Sequence, residues 1–236
     1  MCTIMGELIE DPNLRDKYYV FRNRRHAGEL LAEKLKNLVT RHSFVLAIPS
    51  GGVPVGYEIA KRLNLPLDTI IVRKIPIPGE TEAGFGALTF DGEAFLNLSL
   101  INRLGITEEE IETQKEIVRR QIERRQKIFR GGRAFPEISG KEVILVDDGL
   151  ASGYTMLAAL SSVKKRGPRR VIVAVPTAPE ATVELILPQV DILMCLNIRS
   201  GAVFAVADAY IEWHDLSEEE VLEYLSLPGF KKRGGG

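Results

Sequence analysis

The run VILVDDGLASGYT, residues 143–155, constrains this chain more than any other stretch. Val143, Ile144, Leu145 and Val146 form a short apolar block of the kind that a parallel sheet covers on both faces. The block stops at two adjacent carboxylates, Asp147 and Asp148. Gly149, Ala151, Ser152, Gly153 and Thr155 follow, all small or hydroxylated, with Leu150 and Tyr154 between them. An apolar helix then opens at once with Met156, Leu157, Ala158, Ala159 and Leu160. A turn of small residues between strand and helix aims several backbone N–H groups, and the positive end of a helix dipole, at one spot. Such a spot suits an anion, most often phosphate. The neighbouring carboxylates suit hydroxyl groups or a hydrated cation. Together they describe a site for a sugar phosphate. The same string is also compatible with simple turn and N-cap chemistry.

The rest of the chain reads as an α/β protein. Residues 1–25 are polar and irregular. From His26, Ala27, Leu30, Leu31, Leu35, Leu38 and Val39 recur at three- and four-residue spacing, which predicts a helix. Phe44–Ile48 reads as a strand running into Pro49-Ser50-Gly51-Gly52. A helix over about Val53–Leu63 and a strand at Thr69–Arg73 complete a β-loop-α-β unit. Residues 75–93 are rich in Gly, Pro and Glu, with a hairpin signal at Asp91-Gly92. Thr107 and Glu110 form a capping box that opens a charged helix to about Phe129. After residues 143–160 come a strand at Val171–Val175, a short helix near Pro179–Leu187 and a strand at Asp191–Leu196. Ser217 and Glu220 cap a last helix ending near Leu227. With no internal repeat and no clear linker, residues 1–230 read as one domain and 231–236 as a disordered tail.

Composition removes several classes of function. The 236 residues are 45% hydrophobic and 27% charged, enough for a generous core, and the net charge is −1. No global basic field favours nucleic acid. Arg119, Arg120, Arg124, Arg125, Arg130 and Arg133 alternate with acids on the charged helix, which predicts a solvated or subunit-contacting face. No apolar stretch approaches membrane-spanning length, and the first residues lack a secretory pattern, so cytosol is the expected location. Cys2 and Cys195 give neither a disulfide framework nor metal spacing, and His26, His42 and His214 are isolated. There is no G-x-x-x-x-G-K-[ST] loop, no strand-linked G-x-G-x-x-G and no G-x-S-x-G elbow.

Open parallel sheets bind ligands at the carboxyl ends of their strands. Beside Asp147-Asp148, two other expected strand ends carry suggestive residues. Gly51 and Gly52 after Ser50 let a ligand approach the backbone, and exposed N–H groups there suit a diphosphate. Arg73 and Lys74 are two cations at a strand end. Phe204, Tyr210 and Trp213 cluster after the last strand, as core or as a platform for a base.

Residues 143–155 also resemble the phosphoribosyl-diphosphate (PRPP) motif of the type I phosphoribosyltransferases, with Asp147, Asp148, Ser152, Gly153 and Thr155 at the matching positions. Ser152 stands where Thr is commoner. The resemblance extends over nearly all of residues 20–225, through PSGGVPVG, the Arg-Lys pair, the charged helix and FRGGR. It is to a poorly characterised prokaryotic branch of that family, whose Trp-Tyr-x-Asp-Phe run corresponds here to Ala209–Trp213. The resemblance implies a mostly parallel twisted sheet flanked by helices, with a flexible flap over 75–93, a charged helical insertion and a small C-terminal hood from 197–228 plus parts of the N-terminus.

It further implies a Mg²⁺-dependent transfer of ribose 5-phosphate from PRPP to a nitrogen acceptor, with a nucleobase the first expectation. Gly149, Ala151, Ser152, Gly153, Tyr154 and Thr155 would hold the 5′-phosphate. Asp147 and Asp148 would take the ribose hydroxyls, with Mg²⁺ nearby held mainly by PRPP and water. Ser50, Gly51 and Gly52, with Arg73 and Lys74, would take the diphosphate, and Tyr210 or Trp213 would face the base. A homodimer or other homo-oligomer is expected. The alternative is a non-catalytic PRPP- or nucleotide-binding regulator on the same fold. A third reading is an oligomeric structural subunit that uses the Arg-rich helix as its interface.

Overall fold

The computed structural model describes residues 6–80 and 83–228. The expected tail, 231–236, lies outside the described residues. Nine strands and seven α-helices are present among the described residues: β1 (Glu7–Ile9), α1 (Arg24–Leu35), β2 (Ser43–Ala47), α2 (Gly52–Leu63), β3 (Leu67–Thr69), β4 (Val72–Pro76), β5 (Gly84–Thr89), β6 (Ala94–Leu96), α3 (Leu98–Leu104), α4 (Glu108–Arg130), β7 (Glu142–Val146), α5 (Tyr154–Lys164), β8 (Arg170–Pro179), α6 (Glu180–Ile186), β9 (Ile192–Arg199) and α7 (Glu218–Ser226).

Six strands form one sheet in the order β3-β2-β7-β8-β9-β1, and every neighbouring pair is parallel. Alternation along the strands feeds two cores. Val45, Ala47, Ile144, Val146, Ile172 and Ala174 pack toward α1 and α2. Phe44, Leu46, Val143, Leu145, Val171 and Val173 pack toward α5. All five residues of β2 and of β7 are buried, as apolar strands sandwiched between helix layers must be. The expected α/β fold with a parallel sheet flanked by helices is therefore present.

The order contains a switch point. From β2 the chain crosses through α2 to β3 on one side, whereas from β7 it crosses through α5 to β8 on the other. The carboxyl ends of β2 and β7 thus open onto a crevice that neither crossover covers. Ligands in open α/β sheets bind at such a crevice.

Several expectations need correction. The strand expected at Thr69–Arg73 is two strands in two sheets: β3 ends at Thr69 as an edge of the parallel sheet, and β4 begins a separate antiparallel sheet, β4-β5-β6. The apolar run Thr69-Ile70-Ile71-Val72 is continuous, so periodicity could not reveal the change of sheet. The flap expected over 75–93 is packed in its second part, while residues 81 and 82 lie outside the described residues. Phe85, Ala87, Leu88 and Thr89 of β5 are buried, and the Asp91-Gly92 turn joins β5 to β6 as a hairpin. Gly86 is no hinge there: a Cβ on it would lie 2.5 Å from the Phe95 carbonyl oxygen, so its role is close strand pairing. Residues 1–25 are not irregular throughout, because β1 adds an edge strand beside β9 and Phe21 bridges to Tyr210. Helix α1 begins at Arg24, two residues before the expected start, with Asn23 accepting from the His26 N–H as N-cap. Helix α3 is an element that the sequence pattern does not announce. The capping boxes on α4 and α7 are both formed.

Candidate functional site

Ala47 and Val146 are register partners, so the loops that follow β2 and β7 leave the sheet side by side. The Pro49–Ser50 peptide is cis. Gly51 and Gly52 then press onto the acidic pair. A Cβ at Gly51 would lie 1.8 Å from Asp148 Oδ2, and one at Gly52 would lie 2.6 Å from the Val146 carbonyl oxygen. The two glycines are needed for this contact between loops. Gly51→Ala is expected to destabilise the protein by about 1–3 kcal/mol, as overpacking does, because the Asp148 carboxylate is anchored elsewhere and cannot swing aside. A urea midpoint unchanged from wild type would show that the loops are not so tightly apposed.

That anchor is Arg24. Its Nε donates to Asp148 Oδ2 at 2.7 Å, and its Nη1 donates to the His214 carbonyl at 2.9 Å. Trp213 covers the guanidinium, with Arg24 Cζ 3.9 Å from the ring centroid. Tyr210 donates its hydroxyl to the Asp148 carbonyl at 2.5 Å and is only 1% exposed. Of the two readings for Tyr210, core or base platform, the structure has the first: it is a buried strut packed between Phe21 and Trp213. Its buried phenol is pushed well above its ordinary pKa, first by burial and then by the charge of Asp148. Trp213 is half-buried, and its contacts run to Arg24 and Tyr210.

Asp147 lines a cavity of about 340 Å³. Burial and the neighbouring Asp148 charge push its carboxyl well above the usual carboxylate range. The Asp148 N–H donates back to Asp147 Oδ1 at 2.8 Å, which fixes the orientation of the carboxylate.

The turn after the pair is held from behind. Leu150 N–H donates to the Thr177 carbonyl at 2.9 Å, and Thr182 Oγ1 donates to the Ala151 carbonyl at 2.6 Å. Gly153 takes the left-handed conformation, with φ of +81°, as N-cap of α5. A glycine cap has no side chain, so no side-chain oxygen satisfies the first N–H groups of α5. These groups, with the Thr155 hydroxyl at the cavity wall, are chemically suited to an anion. Ala151 and Ser152 are exposed, and Gly149, held in place between Thr177 and Val206, is buried.

The cavity wall also contains two of the candidate residues, Arg73 and Lys74, together with Pro49 and with Gln121 and Arg125 of α4, which the sequence does not single out; Ser50, Gly51 and Gly52 are not part of that wall. Arg73 and Lys74 reach the cavity from the middle of β4 and not from the end of a parallel strand. Burial holds the Arg73 guanidinium below its ordinary range. Arg125 is also held down, first by burial and then by the charge of Arg73. The charged helix is thus more than a solvated face. At its end Arg130 is 2% exposed, donating to Asp68 at 2.5 Å and to the Thr69 carbonyl at 2.9 Å.

The sequence matches the phosphoribosyl transferase domain over residues 21–209. The chain belongs to the phosphoribosyl transferase family. Among its relatives is the Mycobacterium tuberculosis protein Rv0571c, whose name gives it provisionally as a phosphoribosyl transferase. The two are 34% identical over 208 residues, 87% of this chain and 46% of the relative. The chain therefore spans about half the length of the curated relatives it matches. The crystal structure of TT1426 from Thermus thermophilus is 37% identical, covers 87% of this chain and 97% of its own, and superposes with a TM-score of 0.71. The phosphoribosyl transferase family is a family of transferases, and the crevice at the switch point is where its chemistry would be sought.

Among the described residues, no group of three or more His, Cys, Asp or Glu side chains could hold a metal ion by itself. The donor set of the site is two carboxylates, one of them tied to Arg24. That set fits a Mg²⁺ that arrives on a phosphorylated ligand and keeps most of its oxygens from ligand and water.

Proposed function

We propose that the chain transfers ribose 5-phosphate from PRPP to a nitrogen acceptor, with a nucleobase as first expectation, and releases diphosphate. The observation that carries this reading is the cavity in which Pro49, Arg73, Lys74, Asp147 and Thr155 meet, at the switch point of a parallel sheet. In this reading the 5′-phosphate sits on the turn Gly149–Thr155. Asp147 and Asp148 accept hydrogen bonds from the ribose hydroxyls. The diphosphate lies against Ser50–Gly52, Arg73 and Lys74. Mg²⁺, when bound, would be held near Asp147 and Asp148 and would supply charge neutralisation to the diphosphate.

The residues then divide the work. The bond from C1 to the diphosphate oxygen breaks before the bond to nitrogen is well formed, so positive charge develops on the ribose ring, as in glycoside cleavage. The carboxylates stabilise that charge, and Arg73 and Lys74 stabilise the negative charge gathering on the leaving group. Residues 1–230 would work as one domain, with the segment from 197 to 228 as hood. No helix among the described residues is long and apolar enough to cross a membrane. A cytoplasmic homo-oligomer is the setting we propose.

The test is a screen of nucleobases and other nitrogen nucleophiles with PRPP and Mg²⁺, read as diphosphate release, beside melting temperatures with ribose 5-phosphate, PRPP and nucleoside monophosphates. A native-state ligand at 100 times its Kd stabilises by about 2.7 kcal/mol, several degrees for a chain of this size. Diphosphate release with one acceptor supports the transferase. Stabilisation without release under any acceptor supports the regulator. No shift at millimolar ligand would remove the phosphate-loop reading.

A further inference from the structure

We propose that α4 is part of the ligand site, and that Arg125, seconded by Gln121, is a third contact for the diphosphate. The proposal rests on the phosphoribosyl reading above and extends it to a helix that the motif does not include.

Gln121 and Arg125 are four residues apart on α4 and so share one face of the helix, the face that closes the cavity. The other arginines of α4 have partners. Arg119 and Arg120 pair with Glu116, and Arg124 holds Glu218 through two bonds of 2.6 and 2.7 Å. Arg130 is committed to Asp68. Arg125 is different. Its Nε lies 4.0 Å from Glu218, its guanidinium sits 5.7 Å from the Phe129 ring centroid, and it makes no hydrogen bond to the described residues. Arg73 likewise has neither a hydrogen bond nor an ion pair among the described residues, although it is half-buried.

Two half-buried guanidiniums therefore face one cavity with their donors unused and repel each other. Such an arrangement is costly unless an anion completes it. One monoanion would serve a single fork. A diphosphate offers two phosphoryl groups and several negative charges, which matches two planar forks and the Lys74 ammonium beside them. Among the described residues, Glu218 is the only carboxylate that pairs with Arg125, and Arg124 already occupies it at closer range. The Arg124–Glu218 pair thus ties the start of α7 to α4 and leaves the Arg125 fork to the cavity.

The experiment uses full-length protein, inorganic diphosphate with Mg²⁺ as one probe and ribose 5-phosphate as a second, with titration calorimetry as readout. Arg125→Gln is expected to weaken diphosphate about 10- to 100-fold, the scale of a lost charge-assisted contact, and to leave ribose 5-phosphate within about twofold. Arg125→Lys, which keeps the charge and loses the fork, is expected to fall between. Arg119→Gln, which loses only an exposed pair with Glu116, is expected to change neither affinity. Retained ribose 5-phosphate binding certifies the fold of each variant. Equal diphosphate affinity in wild type and Arg125→Gln would overturn the proposal while leaving the phosphoribosyl reading in place. Wild-type protein that binds neither probe would overturn both.

Discussion

Arg24→Ala is expected to cost about 3–5 kcal/mol of folding stability, which for most proteins is a large share of the total. The Arg24 and Asp148 side chains are 8% and 15% exposed, so removing the cation leaves a carboxylate with little water to solvate it. It also removes the bond to the His214 carbonyl and the cover over Trp213. Three elements lose their common tie: α1, the turn after β7 and the segment leading to α7. A double-mutant cycle with Asp148→Ala separates pair energy from packing. The double variant is expected to be more stable than the sum of the two single losses predicts, because the orphaned charge is gone. An unfolding free energy from urea titration within about 1 kcal/mol of wild type for Arg24→Ala would show that the pair is not an anchor. Ribose 5-phosphate affinity should fall in the same variant, since Asp148 would lose its fixed position.

Asp147→Asn is expected to move stability and activity in opposite directions. The folded protein raises the Asp147 carboxyl pKa, by burial first and by Asp148 second. A raised pKa means that the folded state binds the proton more tightly than the unfolded chain. Its contribution to stability is complete below the unfolded carboxyl pKa, about 3.9, and is lost as pH rises through the folded value. Above the folded value wild type has lost that contribution, whereas Asn has no proton to lose. The stability of the variant relative to wild type should rise as pH increases through the folded value, with the difference shrinking toward about pH 3. Turnover should drop about 10²- to 10³-fold, by analogy with removal of one preorganised group facing transition-state charge. A stability gain that does not depend on pH would contradict the electrostatic origin. Wild-type turnover in Asp147→Asn would remove the carboxylate from the ribose.

The parts of this protein whose physics is local were legible in its residues alone. Four apolar residues ending in two acids and a small-residue turn specify a buried strand, an anion-suited helix start and the switch between them, and residues 142–164 fold that way. The capping boxes at Thr107 and Ser217 fix the starts of α4 and α7 because each is complete within four residues. Other features depend on which distant segments meet. Nothing in the sequence around Asp148 shows that its partner is Arg24, 124 positions away. Arg125 looks like one more charge in a helix of alternating signs, and only the packing of α4 against β4 makes it a wall of the cavity. Tyr210 and Trp213 read as aromatics near a site, but whether a ring faces solvent or supports a backbone carbonyl is a question of neighbours, and Asp148 and Arg24 supply those neighbours. Strand order is of the same kind: β2 lies beside β7 although α2, four strands and two further helices separate them along the chain. Local pattern can specify a strand and its ending. The choice of which strand ends meet belongs to the burial of both sheet faces at once, and that burial exists only in the folded chain.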